Sequence, residues 1–245
     1  MEAFILRATL STPVSFRSHP HLDALLMAAR EKAMGPETVG QPLPLAERDG
    51  LWQASQAFAV GAVAHPDQTD LVRPKTVKGP KLGLGDLHWE KSLGNDGRKL
   101  HPDSPYRGQL SRYDLLEGVQ AVYWQAYGDP EACLGLARLI ENVGAMANTG
   151  WGRVEQWEIL PCDRLAPKDA GWVSEEGMPL RAIPLRLWAP GKELADIRVP
   201  DGATVGMFGV RAPYWQRPNQ EMAVAPTRAW LTGDARLMLP RIAAA

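Results

Sequence analysis

The chain has 245 residues, 45% of them apolar, and 27 Lys or Arg against 28 Asp or Glu, for a formal net charge of −1. That length suits one large domain or a domain with a substantial insertion, and the neutral balance excludes a protein that is basic throughout. No run of about 18 uncharged apolar residues occurs, so no membrane span is expected, and Cys133 and Cys162 sit in no metal-binding spacing, which argues against a disulfide framework and a structural zinc.

Glu2 to Leu10 is apolar and rich in strand formers, and Ser11, Thr12 and Pro13 stop it. Leu22, Leu25, Leu26 and Ala29 fall at helical spacing, which predicts a helix with Pro20 in its first turn and Gly35-Pro36 at its end. Trp52 to Val63 is a second strand candidate with weak alternation and many small residues. From about 65 to 112 the periodicity lapses and Pro and Gly recur, which reads as a long loop or β-hairpin insertion. Between Arg73 and Arg112 there are nine Lys or Arg against four acids, a local excess of five positive charges.

Period-two alternation returns at Leu115 to Tyr127. Asp129 then suits an N-cap and Pro130 the first helical position, with a stripe of Leu136, Leu139, Ile140 and Val143 and a stop at Gly144. Arg153 to Leu160 alternates as a last strand. The order strand, helix, strand, insertion, strand, helix, strand predicts an α+β, ferredoxin-like (RRM-like) β-α-β-β-α-β core over 1–160. The Pro- and Trp-containing remainder, 161–245, is expected to be a β-rich extension packed on that core, with strand pieces at Leu180–Trp188 and Thr204–Val210.

The strongest local signal is the glycine-rich loop with Gly144, Asn148, Thr149, Gly150, Trp151, Gly152 and Arg153. Glycine tolerates positive φ, and a backbone without Cβ permits close approach of a phosphate chain. Asn148, Thr149 and Arg153 can donate to phosphates or base edges, and Trp151 can stack. The loop follows a helix rather than opening one and has no Gly-Lys-Ser/Thr, so it is neither a Rossmann fingerprint nor a P-loop. The plainer alternative is a helix C-cap followed by a turn.

In the insertion, Arg73, Lys75, Lys78, Lys81, Lys91, Arg98 and Lys99 with Trp89 suit single-stranded nucleic acid, where phosphates pair and bases stack. A solvated loop with Trp89 as an anchor is the alternative. Arg211, Tyr214 and Trp215 cluster near the C-terminus and suit either an interface, RNA or a packed loop. His19 and His21 flank Pro20 at the helix entry, where a general base for a ribose 2′-hydroxyl could stand; capping is the plainer role. No cofactor or metal set is recognisable.

Three stretches resemble the RAMP proteins of CRISPR systems, in particular the Cas5-like subunit of type IV effectors (the Csf family). They are His21 to Leu26; Ile140 to Trp157 with its glycine loop; and Arg211, Ala212, Pro213, Tyr214 and Trp215 with Pro226 downstream. They cover the core and part of the extension, but neither the insertion nor 161–202. The usual RAMP loop carries Lys, Arg or Ser where this chain has Met146 to Thr149, leaving Arg153 as the nearest cation. Met1-Glu2-Ala3-Phe4 lacks the basic n-region of a signal peptide, so a cytoplasmic protein is expected, and the resemblance implies a non-catalytic RNA-binding subunit of an antiviral ribonucleoprotein complex. It would cap the 5′ handle of CRISPR RNA and contact Cas7-like backbone subunits and a large or small subunit. Target nucleic acid would be met only indirectly, and the basic insertion would be a thumb over the guide. Two alternatives remain: a metal-independent CRISPR RNA-processing endoribonuclease with His19 or His21 as base, and a ferredoxin-like assembly domain unrelated to RNA.

Overall fold

The computed structural model describes residues 1–16, 19–38, 40–61, 67–73, 109–116, 119–144, 150–162, 169–214, 216–227 and 230–231. Its elements in chain order are β1 (Glu2–Leu10), β2 (Val14–Phe16), α1 (Leu22–Met34), β3 (Glu47–Arg48), β4 (Leu51–Trp52), β5 (Phe58–Gly61), β6 (Asp67–Arg73), β7 (Gln109–Leu116) and β8 (Val119–Gly128). Then follow α2 (Pro130–Ala137), β9 (Val154–Pro161), β10 (Ile183–Pro184), the single turn α3 (Leu185–Trp188), β11 (Ala203–Gly209) and β12 (Gln220–Pro226). The chain is mixed α+β with antiparallel sheets. It divides into two units, residues 1–66 with 116–245, and Asp67–Leu115.

The principal sheet of the first unit has the order β5-β8-β1-β9. β1 is antiparallel to both neighbours, so Leu6 faces Trp124 on one side and Ile159 on the other. Phe4, Leu6 and Ala8 of β1, with Val122, Trp124 and Ala126 of β8, pack against Leu22 and Leu26 of α1 and Cys133, Leu134 and Ala137 of α2. Ile5, Phe58, Ala121 and Tyr123 belong to a second cluster, with Met178, Leu180, Trp230 and Leu231. β1 is therefore buried on both faces, which is why it reads as an apolar run rather than as an alternation. A smaller sheet, β10-β12-β11, builds a third cluster around Trp172, Ile183, Ala223 and Ala225.

Four expectations are corrected. Pro20 stands outside α1: His21 is the N-cap, and the Pro20 carbonyl accepts from Ala57 N at 2.8 Å and Trp124 Nε1 at 3.0 Å. The strand expected over Trp52–Val63 is broken, because Ser55 Oγ takes the Gln125 N–H at 2.8 Å while Gln56 N turns to Leu180 O at 2.8 Å. α2 ends at Ala137, where Leu139 N and Ile140 N bond to Leu136 O and Ala137 O and tighten the last turn. Leu139 is consequently 42% exposed, and Gly144 caps nothing. In the extension, Leu185–Trp188 is a helical turn rather than strand.

In the second unit, β6 and β7 pair antiparallel from Asp67↔Leu115 to Arg73↔Gln109. Lys75, Lys78, Lys81, Trp89, Lys91, Arg98 and Lys99 lie outside the described residues. No helix among the described residues is long and apolar enough to cross a membrane.

A candidate nucleic-acid interface at the glycine loop

Both ends of the glycine loop are tied to the sheet. On one side Asn142 bridges Arg153, Val143 N donates to Gly152 O at 2.8 Å, and Val154 N donates to Glu141 O at 2.8 Å. On the other side the turn after β1 serves as a clamp. Thr12 Oγ1 donates to Gly150 O and accepts from Arg153 N, both at 2.9 Å, while Gly152 N donates to Pro13 O at 2.8 Å. Thr12 escaped the sequence reading, where Ser11-Thr12-Pro13 served only as a strand stop. A hydroxyl that donates and accepts at once suits such a double clamp.

The three glycines have different reasons to be glycine. All have positive φ: +87° at Gly144, +87° at Gly150 and +64° at Gly152. A Cβ on Gly144 would lie 2.5 Å from Ser15 O, and one on Gly152 would strike Val143 O. At those two positions the close approach is by the protein's own backbone. Of the three, Gly150 alone has nothing within 4 Å of its Cβ position among the described residues, so there the backbone is open to an incoming chain.

Beside Gly150 opens a cleft of about 620 Å³, lined by Arg138 at the end of α2, Glu141 and Asn142, and by Arg153, Glu155 and Trp157 at the start of β9. Trp157 is a firm floor, since it is buried and its Nε1 donates to Ile140 O at 3.0 Å. Arg138, Glu141, Arg153 and Glu155 are exposed. The structure thus joins two predicted residues, Gly150 and Arg153, to Arg138, which the sequence analysis did not single out. Trp151 is half-buried, and its carbonyl accepts from Asn142 Nδ2 at 3.1 Å. Asn148 and Thr149 lie outside the described residues.

His19 and His21 are buried and turned into the fold. His19 Nδ1 is 2.7 Å from Ala57 O. The His21 ring stacks on Tyr214 at 3.8 Å, and its Nε2 lies 2.9 Å from Gln56 Nε2. Burial, then the nearby Arg181 charge, holds the His21 pKa well below its ordinary value, so the ring is neutral at neutral pH. A general base must come within hydrogen-bond reach of its substrate; neither ring offers solvent that approach.

Tyr214, for which an interface, RNA contact and a packed loop were all open, joins the extension to α1. Its hydroxyl meets Asp23 Oδ1 and Oδ2 at 2.7 and 2.5 Å and accepts from Arg181 Nη2 at 3.0 Å. Arg181 and Asp23 are both 0% exposed. The guanidinium also donates to Trp52 O at 2.6 Å, Ala54 O at 3.2 Å and Val210 O at 2.7 Å. Burial raises the Tyr214 pKa well above its ordinary value, so its proton stays available to Asp23. A lone Arg inside the apolar run Met178 to Ile183 was the sequence signal for this cluster. Arg211 pairs with Glu221 at 3.0 Å on the surface, and Trp215 lies outside the described residues.

Among the described residues no three His, Cys, Asp or Glu could hold a metal ion. No protein-family model matches the chain, and no curated relative matches it either.

Proposed function

We propose that this chain is the non-catalytic, Cas5-like RNA-binding subunit of a type IV CRISPR ribonucleoprotein, capping the 5′ handle of CRISPR RNA. In this reading the first unit is a ferredoxin-like domain. The support is the sheet order β5-β8-β1-β9, with one helix after its first strand and another before its last. Cas7-like backbone subunits and a large or small subunit are the proposed partners.

The observation that carries the proposal is an exposed Arg153 at the clamped base of the loop, beside the open backbone of Gly150. A fixed cation next to an accessible backbone suits a phosphodiester chain. RNA-recognition domains stack bases on the free face of their sheet. Here Met178, Leu180 and Trp230 cover Ile5, Phe58, Ala121 and Tyr123 on that face, so RNA is assigned to the loop end of the sheet instead.

The test is incubation of the protein with labelled CRISPR repeat RNA in a chelator, read on native and denaturing gels. A shift without cleavage is expected. Specific cleavage would overturn the non-catalytic reading, and binding no tighter than to an unrelated RNA would overturn handle capping. Arg153→Ala is expected to weaken binding of all RNA sequences alike and to lower the slope of log affinity against log salt by about one. The Arg153→Ala, Lys78→Ala pair should weaken binding further while leaving the thermal midpoint in place.

A further inference from the structure

We infer that the cleft beside the glycine loop reads a guanine base; this rests on the RNA-binding reading above and names what that site selects. The cleft carries two charges of each sign, Arg138 and Arg153 with Glu141 and Glu155. All four side chains are exposed, and among the described residues none of them makes an ion pair within 4.0 Å. Opposite charges that share a cleft without pairing suit a ligand that presents both an anion and hydrogen-bond donors.

The two signs select different parts of one nucleotide. Arginine donates to phosphate oxygens. An ionised carboxylate only accepts, so it repels phosphate and requires N–H groups. Guanine is the base with two donors side by side, N1–H and the N2 amino group, and these match the two oxygens of one carboxylate. Adenine and cytosine set an amino group beside a ring acceptor, which would face the second oxygen unfavourably. Uracil flanks its single N–H with two carbonyl oxygens. The volume of about 620 Å³ lies within the range of small-ligand pockets and admits a nucleotide. Gly150 leaves the adjoining backbone open for the chain to pass.

The test is fluorescence anisotropy with labelled octaribonucleotides that alternate uridine with guanosine, inosine or adenosine, and with octauridylate. The guanosine probe should bind about tenfold tighter than octauridylate, as one good base contact allows. The inosine probe, which lacks the N2 amino group, should lose most of that gain. The Glu141→Gln, Glu155→Gln double variant should abolish the preference while raising affinity for octauridylate, whose phosphates the carboxylates repel, whereas Arg138→Ala should weaken every probe. Equal binding of the guanosine and uridine probes, or a preference that survives the double variant, overturns the guanine assignment and leaves RNA binding standing. Binding of none of the probes overturns RNA binding and the guanine assignment together. All four side chains are exposed, so unchanged thermal midpoints serve as the check on folding.

Discussion

Arg181 shows how much one buried side chain can hold together. Its guanidinium takes three backbone carbonyls and the Tyr214 hydroxyl, and that hydroxyl carries the charge interaction on to Asp23 in α1. Its nearest direct approach to Asp23 is 3.9 Å, so the tyrosine completes the pair. Removing one partner of a buried pair leaves an uncompensated charge, so Arg181→Met should cost about 3–5 kcal/mol in urea unfolding. Tyr214→Phe should cost about 1–3 kcal/mol, the desolvation left when one hydroxyl is lost. His21 stacks on the same tyrosine and is held neutral, whereas in the unfolded chain it titrates near its ordinary pKa of about 6.5. Below that pH the unfolded state binds the extra proton, so this contribution is full above about pH 6.5 and is lost as the pH falls toward the depressed folded value. Thermal midpoints measured between about pH 7.5 and 5.5 should therefore fall, and His21→Phe should flatten that slope. Cys133 is buried with its pKa pushed up to about 12, so its thiol should resist alkylation at about pH 8 until the protein unfolds, as mass spectrometry of labelled peptides would show.

At the scale of elements, the short α2 creates the cleft. Had the helix continued through Val143, as its apolar spacing suggested, Asn142 and Val143 could not have run extended beside Gly152 and Arg153. The competing force was sheet extension: Glu141, Asn142 and Val143 each found a backbone partner on the strand returning into β9. This assigns the loop glycines different substitution costs. Gly152→Ala must both hold a left-handed φ and displace the Val143 carbonyl, so a loss of about 2 kcal/mol or more is expected. Gly150→Ala meets only the conformational cost, about 1–2 kcal/mol, and its RNA affinity reports whether a chain lies close to that backbone. Thermal unfolding of the two variants, side by side, separates the structural glycine from the exposed one.

At the scale of the whole first unit, the principal sheet is a shared wall between two apolar clusters. A protein ending at residue 160 would bare Ile5, Phe58, Ala121 and Tyr123 and strand Asp23 without Arg181 and Tyr214. Such a truncation should aggregate or bind a hydrophobic dye, as size-exclusion chromatography and dye fluorescence would report. Much of this was legible in the sequence: the α+β alternation, β1, the Asp129-Pro130 start of α2, β9, and the place of Arg153 at the start of the last strand. Those features are local, set by side-chain periodicity, proline geometry and capping chemistry. The sequence did not disclose where α2 stops, that Leu185–Trp188 is helical, or that His21 and Tyr214 meet across 193 residues. Nor did it disclose that Gly144 and Gly152 yield to neighbouring carbonyls while Gly150 does not. Each of these depends on which distant backbone or side chain is close in space, and one-dimensional patterns carry no such distances. The residue types for a polar, glycine-lined cleft were written in the chain; only the tertiary packing decided that Arg138, Glu141, Arg153 and Glu155 would face the same space.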